Sequence, residues 1–329
     1  MPEHRPSPEA RDVNSYDYWL NTEVKRKYIE QVTALNELGL LDILLEAEAK
    51  GVVGIDGREY PIPSWAEIKA EMEKNKEKYD TKRQQGFTGF QLTPIALPIE
   101  RLTDTLTQQI LKHHKEGKLF ATKEHPDDPD EPLELDTNQP LYIWDGWLDP
   151  NAPAGERGAD VTGKCVYYPE SFDPDNHQGQ TKQEMLDAQV KNNSPFAGWN
   201  VLLIEETPNI PREGQGKTVG GRKQLETNRS SEQYLKTLQT DPQYRHEQCL
   251  TDEDWLTMFL THLHKTNQVI DDFQGKGSAC FNAGTFHPAS RYLGYAGWVR
   301  GYRQARLSWD DPWDRGSGFG LRSAVGLGI

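Results

Sequence analysis

Residues 319–329, FGLRSAVGLGI, alternate with a period of two: Phe319, Leu321, Ser323, Val325, Leu327 and Ile329 on one parity, and Gly320, Arg322, Ala324, Gly326 and Gly328 on the other. Successive side chains of a strand point to opposite faces. The spacing therefore predicts one strand with an apolar face, and with glycines on the other face that let a neighbour approach the backbone. Such a segment belongs inside a sheet, so the rest of the chain has to bring β partners to it.

The region leading into this strand has an unusual vocabulary. The last 50 residues, this strand included, hold six arginines, nine aromatics and nine glycines, and no lysine follows Lys276. Tyrosine and tryptophan offer large contact areas for few rotatable bonds, and arginine adds a planar donor fork that stacks on rings. Binding loops and interface hot spots share this composition. Tyr292, Tyr295, Tyr302, Trp309 and Trp313 sit beside glycine, serine, aspartate or arginine and are expected at the surface. Phe281, Phe286 and Phe319 fit a core or a surface equally well.

The formal charge of −14 argues against nucleic acid as a partner, because phosphate binding relies on clustered cations. No run of about 18 apolar residues is present to cross a bilayer. The start MPEHRPSPEARD lacks the apolar core of a signal peptide, so the expected location is cytoplasmic as synthesised, with surface display left open. Cys165, Cys249 and Cys280 are odd in number and widely spaced, which predicts reduced, buried thiols.

Leu20, Val24, Tyr28, Val32, Leu35 and Leu38 recur at helical spacing and stop at Gly39. SWAE at 64–67 is a capping-box pattern opening a helix towards Tyr79, and Ile99, Leu102, Leu106 and Ile110 stripe another that stops near Gly117. Between these helices Asp56-Gly57 predicts a small hairpin. The acidic, proline-broken run at 123–140 reads as a linker. Beyond it, 141–145, 165–169 and 199–205 are strand candidates. TKQE (181–184), SSEQ (230–233) and TDED (251–254) resemble capping boxes, the last opening a helix to about Ile270. The expected organisation is a helical domain over 1–122, a linker over 123–140 and a second domain over 141–329.

Little here suggests chemistry. The run ending in Gly216, Lys217 and Thr218 mimics a phosphate loop, but Pro211 stands where its first glycine belongs and VGGRKQ resists a following helix. His262 and His264, two apart on a helix, point in different directions, and the adjacent His113 and His114 share that defect. No catalytic residue, metal ligand or cofactor is assigned.

The carboxyl-terminal residues do resemble a known family. TNQVIDDFQGKGSACFNAG followed by RGYRQARLSWDDPWDRGSGFGLRSAV is similar to the variable proteins of diversity-generating retroelements, over roughly residues 196–329. The likeness is strongest to members from small-genome archaea and candidate-phylum bacteria. It implies an α+β chain whose second domain has a C-type-lectin fold of the formylglycine-generating-enzyme type, with a variable region at about 285–325. By the same resemblance, Trp298, Arg303, Ala305, Asp311, Pro312, Arg315, Gly320 and Arg322 are framework. Tyr292, Leu293, Tyr295, Val299, Tyr302, Arg306, Ser308, Trp309, Trp313 and Phe319 are the variable, ligand-facing set.

The expected function is that of a non-enzymatic display protein binding a macromolecular ligand, with protein as the expected class. Two rival readings are an oxidase on the same fold and a nucleotide binder at Gly216 and Lys217. The sequence departs from the calcium-dependent lectins, since only WDD at 309–311 comes near their motifs. It departs from the oxidases too, since Cys249 and Cys280 are far apart in sequence.

Overall fold

The computed structural model describes residues 14–119, 135–149, 158–275 and 277–328. The first striped segment forms one helical run over 16–37. A π-helical stretch at Trp19–Val24 joins α1 (Tyr16–Tyr18) to α2 (Lys25–Glu37), and Gly39 at φ +72° ends it. The stripe is the reason for the placement: Leu20, Val24, Leu35 and Leu38 are buried. β1 (Asp42–Leu44), β2 (Ala49–Val53) and β3 (Glu59–Pro61) form an antiparallel sheet, and the β2–β3 turn carries Gly57 at φ +75°. Ser64 and Glu67 make the capping box that opens α3 (Trp65–Lys74). α4 (Lys76–Gln84), β4 (Gly89–Thr93) and α5 (Ile99–Lys115) follow.

Past residue 135 come β5 (Leu141–Ile143), β6 (Val166–Tyr167), α6 (Lys182–Lys191), β7 (Asn200–Ile204), β8 (Thr218–Val219) and β9 (Arg222–Lys223). They are followed by α7 (Ser231–Thr240), β10 (Gln248–Cys249), α8 (Asp252–Thr266), β11 (Asp272–Phe273), β12 (Ala279–His287) and β13 (Tyr292–Val299). β14 (Gln304–Asp310), β15 (Phe319–Leu321) and β16 (Ser323–Gly326) complete the set. The chain is an α+β protein. All three expected capping boxes form, at Thr181, Ser230 and Thr251. α8 stops short of Ile270 because Asn267 turns left-handed at φ +58°.

Two larger sheets carry the carboxyl-terminal half, beside the two-stranded β8–β9 pair. One runs β10-β16-β7-β4 and is antiparallel throughout; the other runs β15-β12-β13-β14-β5, with β6 added to β12 and β11 to β13. The alternating segment is divided between them. β15 lies parallel to β12, and β16 lies between β10 and β7. The expectation of one strand with one buried face is corrected: both parities from 320 to 327 are buried. Arg322 tolerates this because Asp271 meets its guanidinium at 2.7 Å and the Thr207 carbonyl accepts from it at 2.8 Å. Gly320 has to be glycine, since a Cβ there would stand 2.7 Å from Ile210.

The expected division at 123–140 does not separate two cores. β4 pairs with β7 from Gly89↔Ile204 to Thr93↔Asn200, and one cluster of buried residues runs from Tyr16 to Leu327. The described end of that stretch is held in place: the Asp136 amide donates to the Arg303 carbonyl and the Ala305 amide to the Pro140 carbonyl, each at 3.0 Å. Residues 123–134 lie outside the described residues.

Candidate binding surface

β13 and β14 form the antiparallel centre of the larger sheet, and their register decides which side chains share a face. Leu293, Tyr295, Gly297 and Val299 stand opposite Asp310, Ser308, Arg306 and Gln304. The other face carries Gly294, Ala296 and Trp298 opposite Trp309, Leu307 and Ala305. Gly294 is required by its surroundings, because a Cβ there would lie 2.3 Å from an Asp252 carboxylate oxygen.

On the first face, the Arg306 guanidinium lies between two rings. It is 4.0 Å from the centroid of Tyr142, its register partner on β5, and 4.4 Å from that of Tyr302. Arg306 Nε is buried without a hydrogen-bond partner, and no acid pairs with this side chain among the described residues. The rings thus fix a cation whose donors remain open. Further along this face Phe319 packs against Phe273, Phe281 and Tyr295, with centroids 5.2–5.5 Å apart.

On the second face, Tyr292 and Trp309 stack at 4.1 Å, and Trp144 leans on both at about 6 Å. The Trp144 amide donates to the Leu307 carbonyl at 2.8 Å, which anchors that ring beside β14. Neither Tyr142 nor Trp144 was assigned a binding role from sequence. The aromatic spacing of LYIWD marked a strand, but only the parallel β5–β14 pairing shows which residues it meets.

The expected contact set therefore divides. Tyr302, Trp309 and Trp313 are 61%, 39% and 49% exposed, and they are the exposed large aromatics among the described residues. Tyr292, Tyr295, Arg306 and Phe319 are half-buried. Leu293, Val299 and Ser308 are buried and present no side chain to a partner, which corrects their place in the ligand-facing set. Leu293 belongs to the apolar cluster of Phe281, Phe286 and Leu321. They share a face with the half-buried Tyr295 and Arg306, so burial by the surrounding fold, not alternation, sets them apart, and composition alone does not show it.

Of the expected framework, Trp298, Ala305, Pro312, Gly320 and Arg322 are buried and Asp311 is half-buried. The Asp311 carboxylate accepts the Trp313 amide at 2.9 Å, forming the turn that carries Trp313 outward. Arg303, at φ +55°, and Arg315 are both exposed.

At the glycine-rich loop, the amides that would cradle phosphate are occupied. Gly216 donates to Glu226 at 2.7 Å and Lys217 to the Gln224 side chain at 3.1 Å. An acid already holds the position that a phosphate needs. All three cysteines are buried, and burial pushes their thiols up, that of Cys249 to about 12. His262 and His264 do not converge: His264 meets Glu37 at 2.8 Å, while burial lowers the proton affinity of His262. Comparison of the chain with family models, curated proteins and solved structures gives no match.

Proposed function

We propose that this protein binds a macromolecular partner, of protein class, through side chains carried on and beside β14, and that it does so as the variable protein of a diversity-generating retroelement. The observation that carries the binding reading is the concentration of the exposed large aromatics between 302 and 313, next to a guanidinium with open donors. Exposed tryptophan and tyrosine on a well-packed sheet gain contact area at small ordering cost. Arg306, held by Tyr142 and Tyr302, suits a carboxylate or carbonyl of the partner. The surface has two patches, Tyr302 with Arg306 and Trp309 with Tyr292, which strand alternation sets on opposite faces of β14.

The lectin-type reading of residues 196–329 is supported by connectivity. The first and last strands of that span, β7 and β16, pair antiparallel, α7 and α8 lie between them in sequence, and the β12–β13–β14 meander follows.

Two experiments test the proposal. A library randomised at Tyr302, Arg306, Trp309 and Trp313 should consist mainly of members that unfold cooperatively within a few degrees of the parent; general loss of folding defeats the display role. Sequencing the flanking DNA should reveal a near-repeat of codons 285–325, differing chiefly at adenines, beside a reverse-transcriptase gene. A locus without that repeat defeats the retroelement assignment and leaves the binding surface to be judged on its own.

A further inference from the structure

Lys182, the first residue of α6, has a side chain fully shielded from solvent. Its Nζ lies 2.7 Å from Asp160 Oδ2 and 2.9 Å from Glu253 Oε1, both on fully buried carboxylates, and 2.8 Å from the Leu97 carbonyl oxygen. Tyr167 covers the group: its hydroxyl donates to Glu253 Oε1 at 2.5 Å, and its ring centroid is 5.6 Å from Nζ. Asp160 Oδ2 also accepts the Ile99 amide, at 2.9 Å, from the first residue of α5. Asp160 Oδ1 and Glu253 Oε2 are buried with no partner.

Two carboxylates against one ammonium, with two oxygens unpaired, is a costly way to fill a core. Buried ion pairs repay their desolvation only when every polar atom is satisfied. An amide between lysine and aspartate would remove two of these charges from the interior.

We propose that Lys182 and Asp160 condense to an intramolecular isopeptide bond, with Glu253 as the proton carrier. Nζ passes a proton to Glu253 and attacks Asp160 Cγ, which lies one carbon–oxygen bond beyond the Oδ2 it already touches. Negative charge developing on Oδ2 faces the Ile99 amide at the positive end of α5. Glu253 delivers its proton to Oδ1, a second proton follows from the nitrogen, and Oδ1 leaves as water. The Nζ–Cγ bond forms and the Cγ–Oδ1 bond breaks. Ammonium plus carboxylate give amide plus one water, with no oxidant, reductant or other reactant.

Holding the groups in contact supplies an effective concentration of ~10⁵–10⁸ M, and exclusion of solvent protects the product from hydrolysis. Burial pulls the proton affinity of Lys182 down, but the Asp160 and Glu253 carboxylates more than reverse this and keep it an ammonium at rest. The first step therefore has to take a proton from a stabilised ammonium, and the bond forms during maturation rather than at once.

Intact-mass measurement of the full chain after prolonged incubation at neutral pH is the test. The expected result is a mass lower by one water, with a branched tryptic peptide joining the segments of Lys182 and Asp160 and no cleavage after Lys182. Chain kept in denaturant should retain full mass. Lys182→Arg should retain it as well, and so should Glu253→Gln, checked as folded by circular dichroism. Full mass in the incubated wild type overturns the proposal, as does a one-water deficit without the branched peptide, which marks an internal imide. A branched peptide forming as fast in Glu253→Gln as in wild type overturns the role of Glu253.

Discussion

Leu293 and Tyr302 were expected to do the same work and do opposite work. Leu293 is fully buried in an apolar cluster, so Leu293→Ala should lower the unfolding free energy by about 2–5 kcal/mol in urea titration. Tyr302→Ala, at the most exposed aromatic of the region, should change it by less than ~0.5 kcal/mol. Asp310 adds a dependence on pH. Burial raises its pKa to about 6, the Asp311 amide opposes the rise, and the charges of Asp314 and Asp311 add to it. Its ordinary unfolded value is about 3.9. Between these values the folded chain keeps a proton that the unfolded chain has released. The contribution of Asp310 is thus fully favourable below the window and declines as pH rises through it. The urea midpoint of Asp310→Asn, taken relative to wild type, should grow from about pH 4 to about pH 6 and then level off. A flat difference would place the titration elsewhere.

At the scale of elements, close approach decides one clear case. Gly294→Ala would drive a Cβ towards the Asp252 carboxylate at the start of α8, with β13 held on both sides by its partners. A loss of about 1–3 kcal/mol is expected, read as a lower melting temperature. The capping boxes at Ser64, Thr181, Ser230 and Thr251 were legible in the sequence because each closes within four residues. The stripes of α2 and α5 were legible for the same reason. β4 was not: all five residues of GFQLT are buried, so no alternation marks it, and its partner lies far along the chain. The division of 319–326 into two strands was hidden too, because it depends on Asp271 being present to meet Arg322. For the binding surface, composition pointed to the right segment. Only burial in the folded sheet separated Leu293, Val299 and Ser308 from Tyr295 and Arg306 on the same face, and the β5–β14 pairing added Tyr142 and Trp144.

At the scale of the molecule, the amino-terminal helices and the carboxyl-terminal sheets share a core and a buried ionic network. Glu247 receives Lys82 of α4 at 2.7 Å, Arg222 of β9 at 2.7 and 2.8 Å and the Ser323 hydroxyl of β16 at 2.7 Å. Removing one member of such a network leaves a buried charge uncompensated. The described parts should therefore unfold in a single calorimetric transition, and a fragment spanning 141–329 should not fold alone, since it lacks β4 and Lys82. Two resolved transitions, or a soluble fragment with native-like near-ultraviolet circular dichroism, would contradict the shared core.

The position of β16 also sets a timetable. It lies between β10 and β7, yet of all the strands described it is the last to be synthesised. Until residues 323–326 emerge from the ribosome, β7 and β10 face each other across a missing strand, with unpaired amides and carbonyls along both edges. A nascent chain halted anywhere upstream stays open and exposed to chaperones and proteases. Closure of this sheet therefore waits on the last strand described.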